Sequence, residues 1–150
     1  VHYAPENREI ASLSYTINGS LRNGKTIPLT TVHLLSKTTG VWEHTSIAYL
    51  DELEKEQEVL FEEIKLEKSF HELKRKAAYF YYLGIHAMYS FRGNSQNMLE
   101  LHKMCYEMHG IQVPPPNQTF VLPDCVALCL PFDTFFKEYY DKVFESPITS

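Results

Sequence analysis

At 150 residues and 17.5 kDa, with 44% hydrophobic and 22% charged residues, the chain has the length of one ordinary domain and a globular composition, which excludes disordered, collagen-like and purely coiled-coil architectures. A net charge of -5 and a pI near 5.8 lack the Lys/Arg excess that non-specific binding to nucleic acid or anionic membrane requires, so neither is an expected partner and a protein with a basic surface is. No apolar block follows a basic start and no run is long enough to span a bilayer, while three cysteines are too few for a disulfide scaffold; a reducing compartment, cytoplasm or nucleus, is expected.

Along the chain, residues 10–17 place Leu13, Tyr15 and Ile17 on one face at a period of two, which predicts a half-buried strand. Asn18-Gly19 and Asn23-Gly24 are both turn dipeptides, so the chain is expected to reverse at one of them and return along residues 25–29 as a hairpin, with Pro28 marking a sheet edge. From His44 to about Phe91 there is no proline. Ile47, Leu50, Leu53, Leu60 and Ile64 form one helical stripe behind a Thr45 or Ser46 cap. Leu66, Phe70, Leu73, Ala77, Phe80, Gly84 and Met88 form a second, out of phase with the first, which predicts either two helices parting near 67–69, the preferred reading, or one long helix with a stutter. A third helix is expected from 95 to 109, with Met98, Leu101, Cys105 and Met108 inward and Gly110 as a left-handed terminator. Val113 and Pro114 to Pro116 read as a stiff spacer, residues 119–122 as strand-like before Pro123, and 134–144 as a last helix capped by Asp133. The expected fold is mainly α (α+β): a helical domain of about four helices with a small N-terminal β-hairpin. A single domain spans 1–150, with a β-rich element at 1–43, a helical core at 44–110 and a Pro-rich connection and C-terminal helix at 111–150.

Residues 19–26 match G-x-x-x-x-G-K-[ST] in full, through Gly19, Gly24, Lys25 and Thr26, the pattern in which glycine amides wrap a phosphate, the lysine neutralises it and the hydroxyl holds Mg²⁺. A helix has to begin at the Lys-Thr pair, however, and the β-branched, proline-containing stretch that follows favours a hairpin turn; nucleotide binding is the alternative reading. His102, Cys105 and His109 with Cys125 and Cys129 have spacings compatible with zinc, but Cys105 lies on the apolar stripe and a buried thiol is the preferred reading, with no metal or other cofactor expected. The chain lacks a nucleophile elbow, a zinc-protease motif and a Cys-x-x-Cys pair, and no catalytic residue is assigned.

Eight acidic residues and two lysines lie between Asp51 and Glu67, a net of -6, followed by a net of +3 from Lys68 to Lys76. Glu52/Glu56, Glu54/Glu58, Glu58/Glu62 and Glu63/Glu67 are like-charge pairs one helical turn apart, whose repulsion a basic partner would relieve. Tyr79, Tyr82, His86 and Tyr89 lie on the side of the second helix away from Phe70 and Leu73, where tyrosines serve either as core or as partner anchors. Together these predict a non-enzymatic protein–protein interaction or scaffolding module, part of a larger intracellular protein since Val1 stands where an initiating Met would. Its partner-binding residues are expected to be Glu54, Glu58, Glu62, Tyr79, Tyr82 and Tyr89. The third reading is a small zinc-binding module.

Overall fold

The structure, a computed structural model, describes residues 13–36, 39–89, 93–113 and 123–144. Strands β1 (Leu13–Ser20), β2 (Thr26–Leu34) and β3 (Gly40–Glu43) form an antiparallel sheet in the order β1-β2-β3. Of the two candidate turns, the chain reverses at Asn23-Gly24. Gly24 adopts φ 86 and donates its N–H to Leu21 O at 3.0 Å, while Asn23 Oδ1 accepts from Lys25 N–H at 2.9 Å. Asn18-Gly19 lies within β1 instead.

Ile17 faces Thr30 and Asn18 faces Pro28, which leaves Leu29 as an extra residue on β2. This bulge interrupts the alternation of faces, so Ile27, Leu29, Thr30 and Val32 are all buried. Gly19 is the counterpart of the bulge: a Cβ there would stand 2.8 Å from Leu29 Cδ1. Pro28 sits in the central strand, contrary to the expected edge, yet β3 pairs only with Thr31 to Leu34, so no ladder bond from that side is lost. The expected sheet face is only partly covered, with Ile17 buried but Leu13 and Tyr15 exposed.

Helix α1 (Ile47–Leu66) begins at Ser46, whose Oγ accepts from Ala48 N–H at 3.4 Å, and buries Leu53, Leu60 and Ile64. Ile47, the first residue of the expected stripe, is 85% exposed because the stripe overhangs the core at the helix start. The phase change at 67–69 is a true break: Glu67 is extended, and Ser69 Oγ caps α2 (Phe70–Ala87) by accepting from Glu72 N–H at 3.4 Å. α2 is the central element, packed against α1, β2 and two further helices, and residues 77–87 are buried on every side except at Tyr79. Those helices are α3 (Asn94–Glu107) and α4 (Pro123–Cys129). Gly93 and Gly110 flank α3 at φ 78 and φ 75, so Gly110 has the expected left-handed conformation. Met108, expected inward, is 41% exposed because it falls past the last helical residue.

The chain then forms a C-terminal helix that is α over Phe132–Thr134, π over Phe135–Tyr139 and α again over Tyr140–Phe144. Its cap position is Pro131, and Asp133, expected as the cap, lies in the first turn. The fold is the expected mainly α (α+β) one, and among the described residues it has five helices and a three-stranded sheet, one helix and one strand more than the sequence pattern marks. Pro123, which interrupts a strand, equally suits the first position of a helix, and it opens α4. The strand expected at 119–122 and the proline spacer beyond Val113 lie outside the described residues.

Candidate functional site

The acidic helix α1 separates its carboxylates into two rows. On the side towards the hairpin and α2, Glu52 holds Lys25 Nζ at 2.8 Å, Glu56 holds Arg22 Nε at 3.2 Å, Glu63 is bonded to Arg22 and lies 3.5 Å from Lys76, and Glu67 holds Lys76 at 2.7 Å. The guanidinium hydrogen-bonded to Glu63 keeps its carboxyl below the ordinary value against some desolvation, with Lys76 adding to the effect. Glu54, Glu58 and Glu62 form the other row. Among the described residues Glu54 and Glu58 enter no ion pair, and Glu62 meets only Lys65, at 2.9 Å and largely in solvent.

This second row is the lip of a groove of about 310 Å³ between α1 and α3. Its apolar surface comes from Phe61 on α1, Phe80 on α2, and Met98 and Leu101 on α3, and the rings of Phe61 and Phe80 lie 5.4 Å apart. Tyr89, just beyond α2, closes one end: it is 41% exposed, and its hydroxyl donates to Gln57 Oε1 at 2.5 Å, while Gln57 Nε2 donates to Phe80 O at 2.9 Å. Partial burial raises the Tyr89 phenol above its ordinary value, and the charges of Glu54 and Glu58 raise it further. The field of the lip therefore reaches into the groove. Lys65 holds its ammonium 5.3 Å from the centre of the Phe61 ring, so one cation of the chain itself already rests against the aromatic wall.

The structure brings Glu54, Glu58, Glu62 and Tyr89 together but not Tyr79 and Tyr82. Tyr82 is fully buried, with its hydroxyl on Leu130 O at 2.6 Å and its ring 4.4 Å from His86, so the expected anchor is a core residue. Tyr79 faces the hairpin and the C-terminal helix, donating to Ser20 O at 2.5 Å with Phe132 at 4.7 Å, and its burial pushes the phenol up to about 12. The cause is geometric: Tyr79 and Tyr82 lie one turn apart on the part of α2 that the hairpin, α4 and the C-terminal helix cover, whereas Tyr89 comes after α2 has ended at Ala87 and Met88 has turned the chain at φ 47. Phe80, Met98 and Leu101 belong to the core stripes that the sequence predicts and Phe61 lies outside them; what marks the four as a groove is their proximity to unneutralised glutamates, which needs the tertiary fold.

Residues 19–26 form the end of the β1–β2 hairpin. Gly19 pairs with Ile27 and Thr26 opens β2, so a strand follows where a phosphate-binding loop requires a helix. Lys25 is held by both carboxylate oxygens of Glu52, at 2.8 and 3.0 Å. Of the residues with zinc-compatible spacing, His102 Nε2 meets the Tyr140 hydroxyl at 2.5 Å, His109 Nε2 meets Ile64 O at 2.6 Å, and Cys105 is buried, its thiol pushed up to about 12 by desolvation. Cys125 and Cys129 are half-buried on α4, and no group of three or more His, Cys, Asp or Glu suited to a metal occurs among the described residues.

A larger cleft of about 500 Å³ lies between β1, α2 and the start of the C-terminal helix. Its cations are engaged within the chain, since Arg75 meets Asp133 at 3.4 Å with its plane over Phe132 and Phe136, and Lys76 meets Glu67 and Glu63. The cleft thus offers volume with little uncompensated charge, and the groove offers both apolar surface and charge. No described helix is long and apolar enough to cross a membrane. Comparison with known proteins finds no matching family model and no matching curated relative.

Proposed function

We propose that this chain is a non-enzymatic protein–protein interaction or scaffolding module, acting in the cytoplasm or nucleus, that receives a segment of its partner in the groove between α1 and α3. One observation carries this reading: the glutamates of α1 that face the rest of the fold are neutralised by Arg22, Lys25 and Lys76, while Glu54, Glu58 and Glu62 stand one turn apart beside the half-buried side chains of Phe61 and Leu101 and the exposed ring of Tyr89. Like charges at that spacing cost the helix stability, and a partner carrying cations relieves the cost on binding. The apolar floor supplies contact area that sets the lifetime of a complex, and the lip supplies the field that speeds encounter.

The test compares capture of partners from lysate by the native chain and by Glu54→Lys/Glu58→Lys and Tyr89→Ala variants, with folding checked by circular dichroism. A purified partner that binds the native chain and loses at least tenfold in affinity to both variants supports the reading. Partners retained equally by both folded variants overturn it.

A further inference from the structure

We infer that the occupant of this groove is a basic amphipathic α-helix, an inference that rests on the docking reading above. The walls are themselves helices, α1 and α3, whose mid-helix amides and carbonyls are bonded within each helix, and no strand residue lines the groove. An extended segment laid there would find no main-chain partners and would turn its own N–H and C=O groups onto Phe61 and Leu101. A helix carries its backbone bonds with it and presents only side chains.

The dimensions agree. Glu54 to Glu62 spans eight residue steps of α1, about 12 Å of helix axis, so a helix of two to three turns lying alongside can oppose all three carboxylates with Lys or Arg one turn apart. Met104, three residues after Leu101 on α3, and Met108, just past the end of that helix, are 48% and 41% exposed and place flexible apolar side chains that adapt to varied partners beyond the groove lining. The sign of the occupant's charge follows from the lip, and Lys65, outside the groove lining, shows that the Phe61 ring accepts a cation on an aliphatic stem.

Three synthetic 18-residue peptides with leucines at i, i+4, i+7 and i+11 test this: one with lysines on the remaining face, one with glutamates, and the lysine version with a central proline pair. Each is titrated into the isotope-labelled chain and followed by NMR shifts. The expected result is that the lysine helix binds at least tenfold tighter than the other two, with shifts gathered at Phe61, Tyr89 and Leu101. Glu58→Gln should weaken it several-fold, while Glu138→Gln, on the C-terminal helix, leaves it within twofold. Equal binding of the proline-broken peptide, preference for the glutamate peptide, or shifts lying elsewhere overturns the inference, as does a groove found covered by a second copy of the chain. If the lysine helix fails while a captured partner still depends on Glu54, Glu58 and Tyr89, the groove remains a docking site and its occupant is not a basic helix. If neither depends on the groove, both readings fall.

Discussion

His86 and His102 show how the core constrains single residues. His86 Nε2 faces Ala127 O at 2.8 Å and so carries the proton, leaving Nδ1 to accept from the Thr30 hydroxyl at 2.6 Å; one neutral ring thereby ties β2, α2 and α4 together. His102 meets the Tyr140 hydroxyl, itself 2.8 Å from that of Tyr106, and a relay from Tyr106 through Tyr140 to a neutral His102 gives each hydroxyl a partner. Burial pushes both imidazoles from 6.5 down to about 3, helped at His86 by the nearby His44 and opposed by the Ala127 bond. The native protein therefore refuses protons that the unfolded chain accepts. The stability these rings contribute is complete above pH 6.5 and is lost as the pH falls from there towards 3, at a rate of at most about 1.4 kcal/mol per pH unit for each ring. Urea unfolding between pH 7.5 and 5 should show this decline, and His102→Gln should lower its slope by about one proton; a flat profile would exclude buried neutral histidines. Two glycines make a sharper pair. Gly19→Ala should cost about 1–3 kcal/mol by driving a methyl into Leu29, and Leu29→Ala in the same chain should recover part of that cost. Gly24→Ala meets open space yet should cost about 1 kcal/mol through its positive φ, and no second-site change restores it.

At the scale of elements, the joint between α1 and α2 is made by side chains that bond the backbone. Ser69 caps α2, and the Glu67 carboxylate accepts from Lys68 and Ser69 N–H while holding Lys76. Ser69→Ala should lower stability by about 1 kcal/mol in urea unfolding, whereas Ser69→Asp, which keeps an acceptor at the cap, should stay close to the native value. This joint was legible in the sequence only in part: the apolar stripe changes phase there, which either a break or a stutter in one long helix accommodates, and the serine at that point favoured the break. The hairpin turn was legible for a similar local reason, the positive φ that Asn23-Gly24 supplies. The bulge at Leu29, the π segment over Phe135–Tyr139 and the fate of Tyr82 were not, since each is decided by what a distant element presses against the residue. The P-loop match fails on the same ground: its spacing is satisfied by a strand end, a turn and a second strand, and the bonds that dock this hairpin on α2, Thr30 to His86 and Tyr79 to Ser20 O, join residues 56 and 59 positions apart in sequence.

For the whole molecule the surplus of negative charge is not spread evenly but sorted by α1. The hairpin cations Arg22 and Lys25 and the α2 cation Lys76 are spent on one row of glutamates, and much of what remains uncompensated on this helix lies at the groove. Two glutamates two positions apart should therefore respond to neutralisation with opposite signs. Glu56 is 8% exposed, with one oxygen on Arg22 N–H at 3.4 Å and the other on Nε at 3.2 Å, so Glu56→Gln weakens a charged, partly enclosed contact and should cost about 1–2 kcal/mol. Because the Glu56 carboxylate is buried although Arg22 is partly exposed, added salt should change the cost less than it changes that of a fully exposed pair. Glu58 is exposed on the lip between Glu54 and Glu62, so Glu58→Gln removes two repulsions along the helix and should raise stability by about 0.5 kcal/mol at low ionic strength. That gain should vanish near 0.5 M salt, where charges a helical turn apart in solvent are largely screened. Urea unfolding of both variants at low and high salt measures the four numbers. A loss of stability on Glu58→Gln would mean that this carboxylate is already satisfied within the chain, and the lip would then have no charge to offer a partner.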